Sequence, residues 1–177
     1  APMVRATIAG RKTQTRRAVK PQPYEGGRPE HWSVSELSQF CPYGQPGDRL
    51  WVRETFQDAR RAEAGRVIYK ANPDDFCCRW TPSIHMPRAL SRILLDITGI
   101  RVERLQDISD RGPQNDCTAE GVFHCGLDVP SYEAWSTSGF RSSEKYMYQQ
   151  LWESINGAGS WYANPWVWVI EFRRLQP

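Results

Sequence analysis

The stretch Gly10-Arg11-Lys12-Thr13-Gln14-Thr15-Arg16-Arg17 packs four cations and two hydroxyls into eight consecutive positions. Residues of these types support two kinds of chemistry. Clustered cations attract phosphate or another anion. A threonine hydroxyl is a poor nucleophile until a neighbouring group takes its proton, and a lysine can do so when burial or adjacent cations lower its pKa. Arg16 and Arg17 supply that cation density beside Lys12. The basic character is local, because Arg5, Arg11, Lys12, Arg16, Arg17 and Lys20 all precede the first carboxylate, Glu25. The chain carries 23 Lys and Arg against 20 Asp and Glu, and setting these six aside leaves 17 against 20. The formal charge of +3 is therefore a basic N-terminal patch on a slightly acidic body.

Other candidates are scattered. His85 lies in Ser83-Ile84-His85-Met86, held between Pro82 and Pro87, and is the histidine best placed to act. Glu54 falls on the apolar face of a predicted strand, so it needs a buried cation unless it lies at an exposed end. Cys41, Cys77, Cys78, Cys117 and Cys125 are odd in number and lack framework spacing, which suits a reducing compartment. Neither the Cys77-Cys78 pair nor Cys117 with His124 and Cys125 has the paired spacing that grips a tetrahedral ion, so no metal and no cofactor is expected.

The elements that must position these residues are read from pattern. At 177 residues the chain is one domain with a continuous core. No apolar run approaches the roughly 18 residues of a membrane helix. The N-terminus lacks the apolar core of a signal peptide and shows no initiating Met, so a processed or trimmed start and a cytoplasmic protein are expected. Residues 2–9 predict a short helix, with Pro2 in the first turn, Val4 and Ile8 on one face and Gly10 as terminator. A strand is expected over 11–17, and regular alternation there would put Lys12 and Thr15 on opposite faces unless the backbone bends.

Loop insertions are expected near 20–46, 71–88 and 122–141, where Pro, Gly and Ser concentrate. After the Gly47-Asp48 turn, Arg49–Phe56 predicts a strand with Leu50, Val52 and Phe56 on one face and Trp51, Arg53 and Thr55 on the other. A short strand follows over 66–70. From Ile93 to Leu105 the apolar alternation slips by one residue at Thr98-Gly99, which predicts a β-bulge. Weak helix signals over 107–121 offer Asp107 or Ser109 as caps. A helix is expected from an N-cap at Ser143 to Asn156, with Tyr148, Leu151, Trp152 and Ile155 on one face. The last strand, 164–173, is apolar on both faces and should be central. The mixture predicts an α+β fold built on a small, mostly antiparallel β-barrel with flanking helices and long loops.

Gly10 to Arg17 after a short helix, Gly47-Asp48-Arg49-Leu50-Trp51-Val52 opening a strand, Ala119-Glu120-Gly121 after the bulged strand and a final Val-Ile-Glu-Phe strand together resemble the ASCH domain. The likeness spans nearly the whole chain, and the Pro82–Arg88 segment resembles longer ASCH proteins of phages and prophages. It implies a PUA-like barrel and a nucleoside or single-stranded nucleic acid as partner. For a phage-encoded chain it implies the host cytoplasm. By resemblance to the family's small amidohydrolases acting on 4-acetylcytidine, Thr15 would attack the amide carbonyl. Lys12 would activate that hydroxyl or stabilise the oxyanion, and Glu120 would move protons. Substrate contacts are expected from Arg11, Arg16, Arg17, Trp51, Arg53, Glu54, Ser83 and His85. The Gly112-Pro113 break departs from the family's regular helix before Glu120. Amide hydrolysis on a modified nucleoside and non-catalytic RNA or DNA binding through residues 11–17 both fit these residues. Metal-assisted nucleic-acid cleavage fits less well, for want of a His pair or carboxylate cluster.

Overall fold

The structure, a computed structural model, describes residues 2–22, 36, 39–59, 65–75, 79–112, 115–122 and 144–175. Helix α1 (Pro2–Ile8) opens the chain and leads into β1 (Gln14–Ala18). Strands β2 (Arg49–Trp51), β3 (Phe56–Asp58), β4 (Val67–Tyr69) and β5 (Leu94–Arg104) follow. Then come the short helix α2 (Asp116–Ala119), the longer α3 (Glu144–Asn156) and the last strand, β6 (Trp166–Leu175). Four strands form an antiparallel sheet in the order β1-β6-β5-β2, curled as a half-barrel, and β3 pairs with β4 in a separate hairpin. The fold is α+β.

β6 is central because both of its faces are apolar. Val167 and Val169 pack with Leu105, Cys117, Tyr148, Trp152 and Trp161 under the helices, while Trp168 and Ile170 pack with Val19, Cys41, Ile97 and Val102 on the other face. A strand buried on two sides needs apolar residues at successive positions. The phase slip in β5 is a bulge: Ile97 pairs with Phe172 and Gly99 with Glu171, leaving Thr98 as the extra residue. The slip keeps Ile97 and Ile100 on one face, and it turns Arg101 and Glu103 to the other. Gly99 leaves room there for the Glu171 carboxylate, which a Cβ would approach within 2.7 Å and force to shift.

Several expectations need correction. The single strand over Arg49–Phe56 is two strands in different sheets. Val52 N–H still donates to the Ile93 carbonyl, but Phe56 bonds Thr81 in both directions and continues into the hairpin. Glu54 sits at the crossing, buried, and both its oxygens accept from Arg92 at 2.9 and 3.0 Å. This supplies the cation that its apolar position demanded. The cap of α2 is Asn115, not Asp107 or Ser109; its side chain accepts from Thr118 N–H, and Thr118 Oγ1 accepts from Asn115 N–H. Leu105–Asp107 is a 3-10 turn. On α3, Tyr148 and Trp152 are buried as expected, but Ile155 is 66% exposed. The last turn of the helix runs past the core, and Met147 takes the inward place instead. The Ser143 cap, most of the 20–46 insertion and nearly all of 122–141 lie outside the described residues, as do Cys77, Cys78, His124 and Cys125.

The face assignment is testable by truncation. Ile170→Ala should cost about 2–5 kcal/mol of unfolding free energy in urea, as for buried aliphatic truncations. Ile155→Ala should cost less than about 0.5 kcal/mol. Equal losses would contradict the assignment.

Candidate active site

Two helix ends face each other and deliver the key side chains. At the end of α1, Gly10 adopts φ +70°, its N–H donates to the Thr7 carbonyl, and Arg11 N–H donates to Ala6. At the end of α2 the pattern repeats: Gly121 adopts φ +85°, its N–H donates to Thr118, and Val122 N–H donates to Cys117. Both are Schellman ends, which use a left-handed glycine to satisfy the last carbonyls. The ends interlock, because Thr13 N–H donates to the Ala119 carbonyl and a Cβ on Gly121 would press on Lys12 Cβ at 3.3 Å. Glycine is therefore required at position 121 for its conformation and for the close approach.

This packing joins Lys12 to Glu120 across 108 positions of sequence. Lys12 Nζ donates to Glu120 Oε2 at 2.9 Å, to the Glu120 carbonyl at 2.7 Å and to the Gln14 carbonyl at 2.8 Å. Three acceptors match the three protons of an ammonium. Burial pushes the Lys12 pKa below the ordinary lysine value; Glu120 pulls it back up, and Arg17 and Arg16 push it further down. The amine is thus easier to deprotonate than a surface lysine.

Behind the pair lies a buried charge network. Arg16, its side chain fully buried, donates to Glu103 Oε1 at 2.5 Å and to Glu120 Oε1 at 3.1 Å, and lies 3.2 Å from Asp116 Oδ2. Arg101 donates to Glu103, Asp116 and Glu171. Gln14 donates to Asp116 at 3.1 Å. Three cations, Lys12, Arg16 and Arg101, thus meet four carboxylates, Glu103, Asp116, Glu120 and Glu171. Burial would raise Asp116, but Ser109 N–H, Arg16, Gln14 and Arg101 outweigh it and hold the carboxyl at about 2. Burial, more than any neighbouring charge, pushes the Cys117 thiol up to about 12, so it is a core group rather than a nucleophile.

The expected site residues fall into separate places. Lys12 and Glu120 come together. Arg16, expected to face an anion, instead holds the second oxygen of Glu120 from inside. Thr15 alternates with the buried Gln14 and Arg16 and pairs with Ile170, so its side chain lies on the other face of β1 from theirs. Its link to Lys12 is the 14–15 peptide, whose carbonyl Lys12 Nζ holds. Arg11 and Arg17 are exposed. Trp51, Arg53, Ser83 and His85 form a second group around the 3-10 turn Ser83–His85, and Glu54 is buried with Arg92. Asp116, Glu103, Arg101 and Glu171 were missed. Their signal was present, because alternation with Ile100 and Val102 places Arg101 and Glu103 on the face that Glu171 shares with Val167 and Val169.

No protein-family model, curated protein or solved structure matches this chain. The site is therefore read from its own geometry.

Arg16→Met should lower unfolding free energy by about 3–5 kcal/mol in urea titration, because it strands buried carboxylates. Asp116 adds a pH signature. Its folded pKa lies below the unfolded 3.8, so its contribution is complete above that value and is lost as pH falls through about 2. Asp116→Asn should flatten the acid loss of stability in that window; an unchanged acid limb would contradict the network.

Proposed function

We propose that this chain is an ASCH-type protein with a PUA-like barrel that hydrolyses an amide on a modified nucleoside of the acylated-cytidine class. The observation that carries the reading is the Lys12–Glu120 couple: an amine with a lowered pKa, 2.9 Å from a carboxylate, buried and braced by Arg16. Paired groups of this kind move protons in catalysis.

In this reading the proton of the Thr15 hydroxyl, which lies on the other face of β1, passes around the strand edge through a water to the neutral amine of Lys12 as the threonine oxygen bonds to the amide carbonyl carbon. The proton passes to Glu120 and on to the nitrogen of the departing base as the carbon–nitrogen bond breaks. An acyl ester on Thr15 remains, and water, deprotonated by the same couple, releases the carboxylic acid and restores the hydroxyl. The edge position of β1 supports the arrangement. Odd-numbered residues of β1 bond β6, as Thr13 and Val19 do, so the Gln14 carbonyl faces outward, where Lys12 Nζ meets it. A substrate set against that edge lies beside both Lys12 and Thr15.

Non-catalytic RNA or DNA binding through residues 11–17 has less support, since Lys12 and Arg16 are engaged by carboxylates within the protein.

Lys12→Met, Glu120→Gln and Thr15→Ala should each slow release of cytidine from its acylated form by about a hundredfold or more. The wild-type rate should rise with pH at a midpoint below the ordinary lysine value of 10.5. Undiminished turnover in Thr15→Ala would remove it as nucleophile, and undiminished turnover in Glu120→Gln would end the reading.

A further inference from the structure

Arg16 is gripped at its rim by carboxylates, and one more group covers its face. Glu103 Oε1 accepts from Nε and Nη2, and Glu120 Oε1 accepts from Nη1 at 3.1 Å. Guanidinium donors point outward in a single plane, so such bonds hold the rim and restrain tilting only weakly. The face is taken by Tyr148 of α3, whose ring centroid lies 5.9 Å from the guanidinium carbon. An aromatic face attracts a cation without using any of its N–H groups.

The ring is itself fixed. Tyr148 is 3% exposed, stands edge-on to Trp161 at 6.3 Å and tilted to Trp152 at 6.4 Å, and packs with Val169, the β6 partner of Arg16. The start of α3 is tied to the other support of the couple. Glu144 Oε2 accepts from Asn115 Nδ2 at 2.6 Å, and Asn115 caps α2, whose end carries Glu120. Lys145 Nζ donates to the Gln106 carbonyl, just beyond β5. Burial, more than any neighbouring charge, pushes the Tyr148 hydroxyl well above the ordinary phenol value, so the ring stays neutral while Lys12 titrates.

We infer that Tyr148 is a positioning residue of the Lys12–Glu120 couple: its ring holds Arg16 against one oxygen of Glu120, so that the other stays turned to the amine. The charged groups around the two cations set the sign of its effect. Lys12 faces Glu120, Arg16 and Arg17. Arg16 faces Glu103, Asp116 and Glu120, and Arg101 shares Glu103 and Asp116 with it. With its face uncovered, Arg16 draws back from Glu120. Glu120 then gives more of its charge to Lys12, and a cation that disfavours the ammonium moves away, so the amine becomes harder to deprotonate. The kinetic consequence rests on the deacylation reading; the effect on Lys12 does not.

Side-chain nitrogen NMR of Lys12 across pH, in the full chain, tests this with Tyr148→Phe, Tyr148→Met and trifluorophenylalanine introduced at position 148, each checked for folding by thermal melting. Fluorine draws negative charge from the ring face and keeps the ring's shape, so that variant separates the electrostatics of the face from packing. Tyr148→Phe should titrate like the wild type. The fluorinated and Met variants should titrate higher by about half a pH unit or more, toward 10.5. Their kcat for releasing cytidine from its acylated form should fall about threefold or more at neutral pH, with KM little changed, and recover above the new midpoint. A folded fluorinated variant with the wild-type midpoint would overturn the inference, and so would a Tyr148→Phe midpoint displaced as far as that of Tyr148→Met. A wild type that releases no cytidine would end the deacylation reading alone, and the NMR midpoints would still decide the role of Tyr148.

Discussion

A guanidinium without solvent, set among carboxylates, is the constraint on which the candidate site depends. Arg16 projects from an edge strand into the layer between the sheet and the helices, where Glu103 of β5 and Asp116 and Glu120 of the α2 region converge on it. Desolvating such a charge costs several kcal/mol, and only dense, well-oriented partners offset that cost. The partners come from distant parts of the chain, so the network forms only when β1, β5 and α2 are all in place. Tyr148 closes it from α3, with its ring 5.9 Å from the guanidinium carbon.

The network gives Glu120 a fixed posture. One oxygen is held from within by Arg16, and the other is turned toward Lys12. Two glycine-terminated helix ends set the backbone on either side, and the Ala119 carbonyl ties them through Thr13 N–H. Charge balance follows from the same geometry. Within the basic N-terminal stretch the two inward cations, Lys12 and Arg16, are neutralised by acids from the second half of the chain, while Arg11 and Arg17 stay exposed. Around Trp51, Arg53 and Arg88 lie over the indole, and the neighbouring carboxylate, Glu54, is taken by Arg92.

Much of this was legible in the sequence. The bulge at Thr98-Gly99 follows from a one-residue slip in apolar alternation, and the centrality of β6 from its two apolar faces. The need of Glu54 for a cation follows from its place among Leu50, Val52 and Phe56. Arg92 itself was not legible, because periodicity says which face a residue occupies and not what stands opposite. The fate of Arg16 was hidden for the same reason: Arg16 and Arg17 look alike in sequence, but alternation buries one and exposes the other only once the layer above β1 is known. The break between Trp51 and Phe56 was missed because Arg49–Phe56 alternates without interruption, and the exit to the hairpin is imposed by pairing of Phe56 with Thr81. Ile155 was misplaced because a helical stripe continues past the point where the core ends.

Lys12 and Glu120 stand as one largely buried, hydrogen-bonded couple. Side-chain nitrogen NMR of Lys12, followed as pH is raised, addresses it directly. Slowly exchanging ammonium protons and a titration midpoint below the ordinary 10.5 are expected, with the midpoint displaced when Glu120 is changed to Gln. A fast-exchanging Lys12 that titrates at the ordinary value, with no response to Glu120, would contradict it.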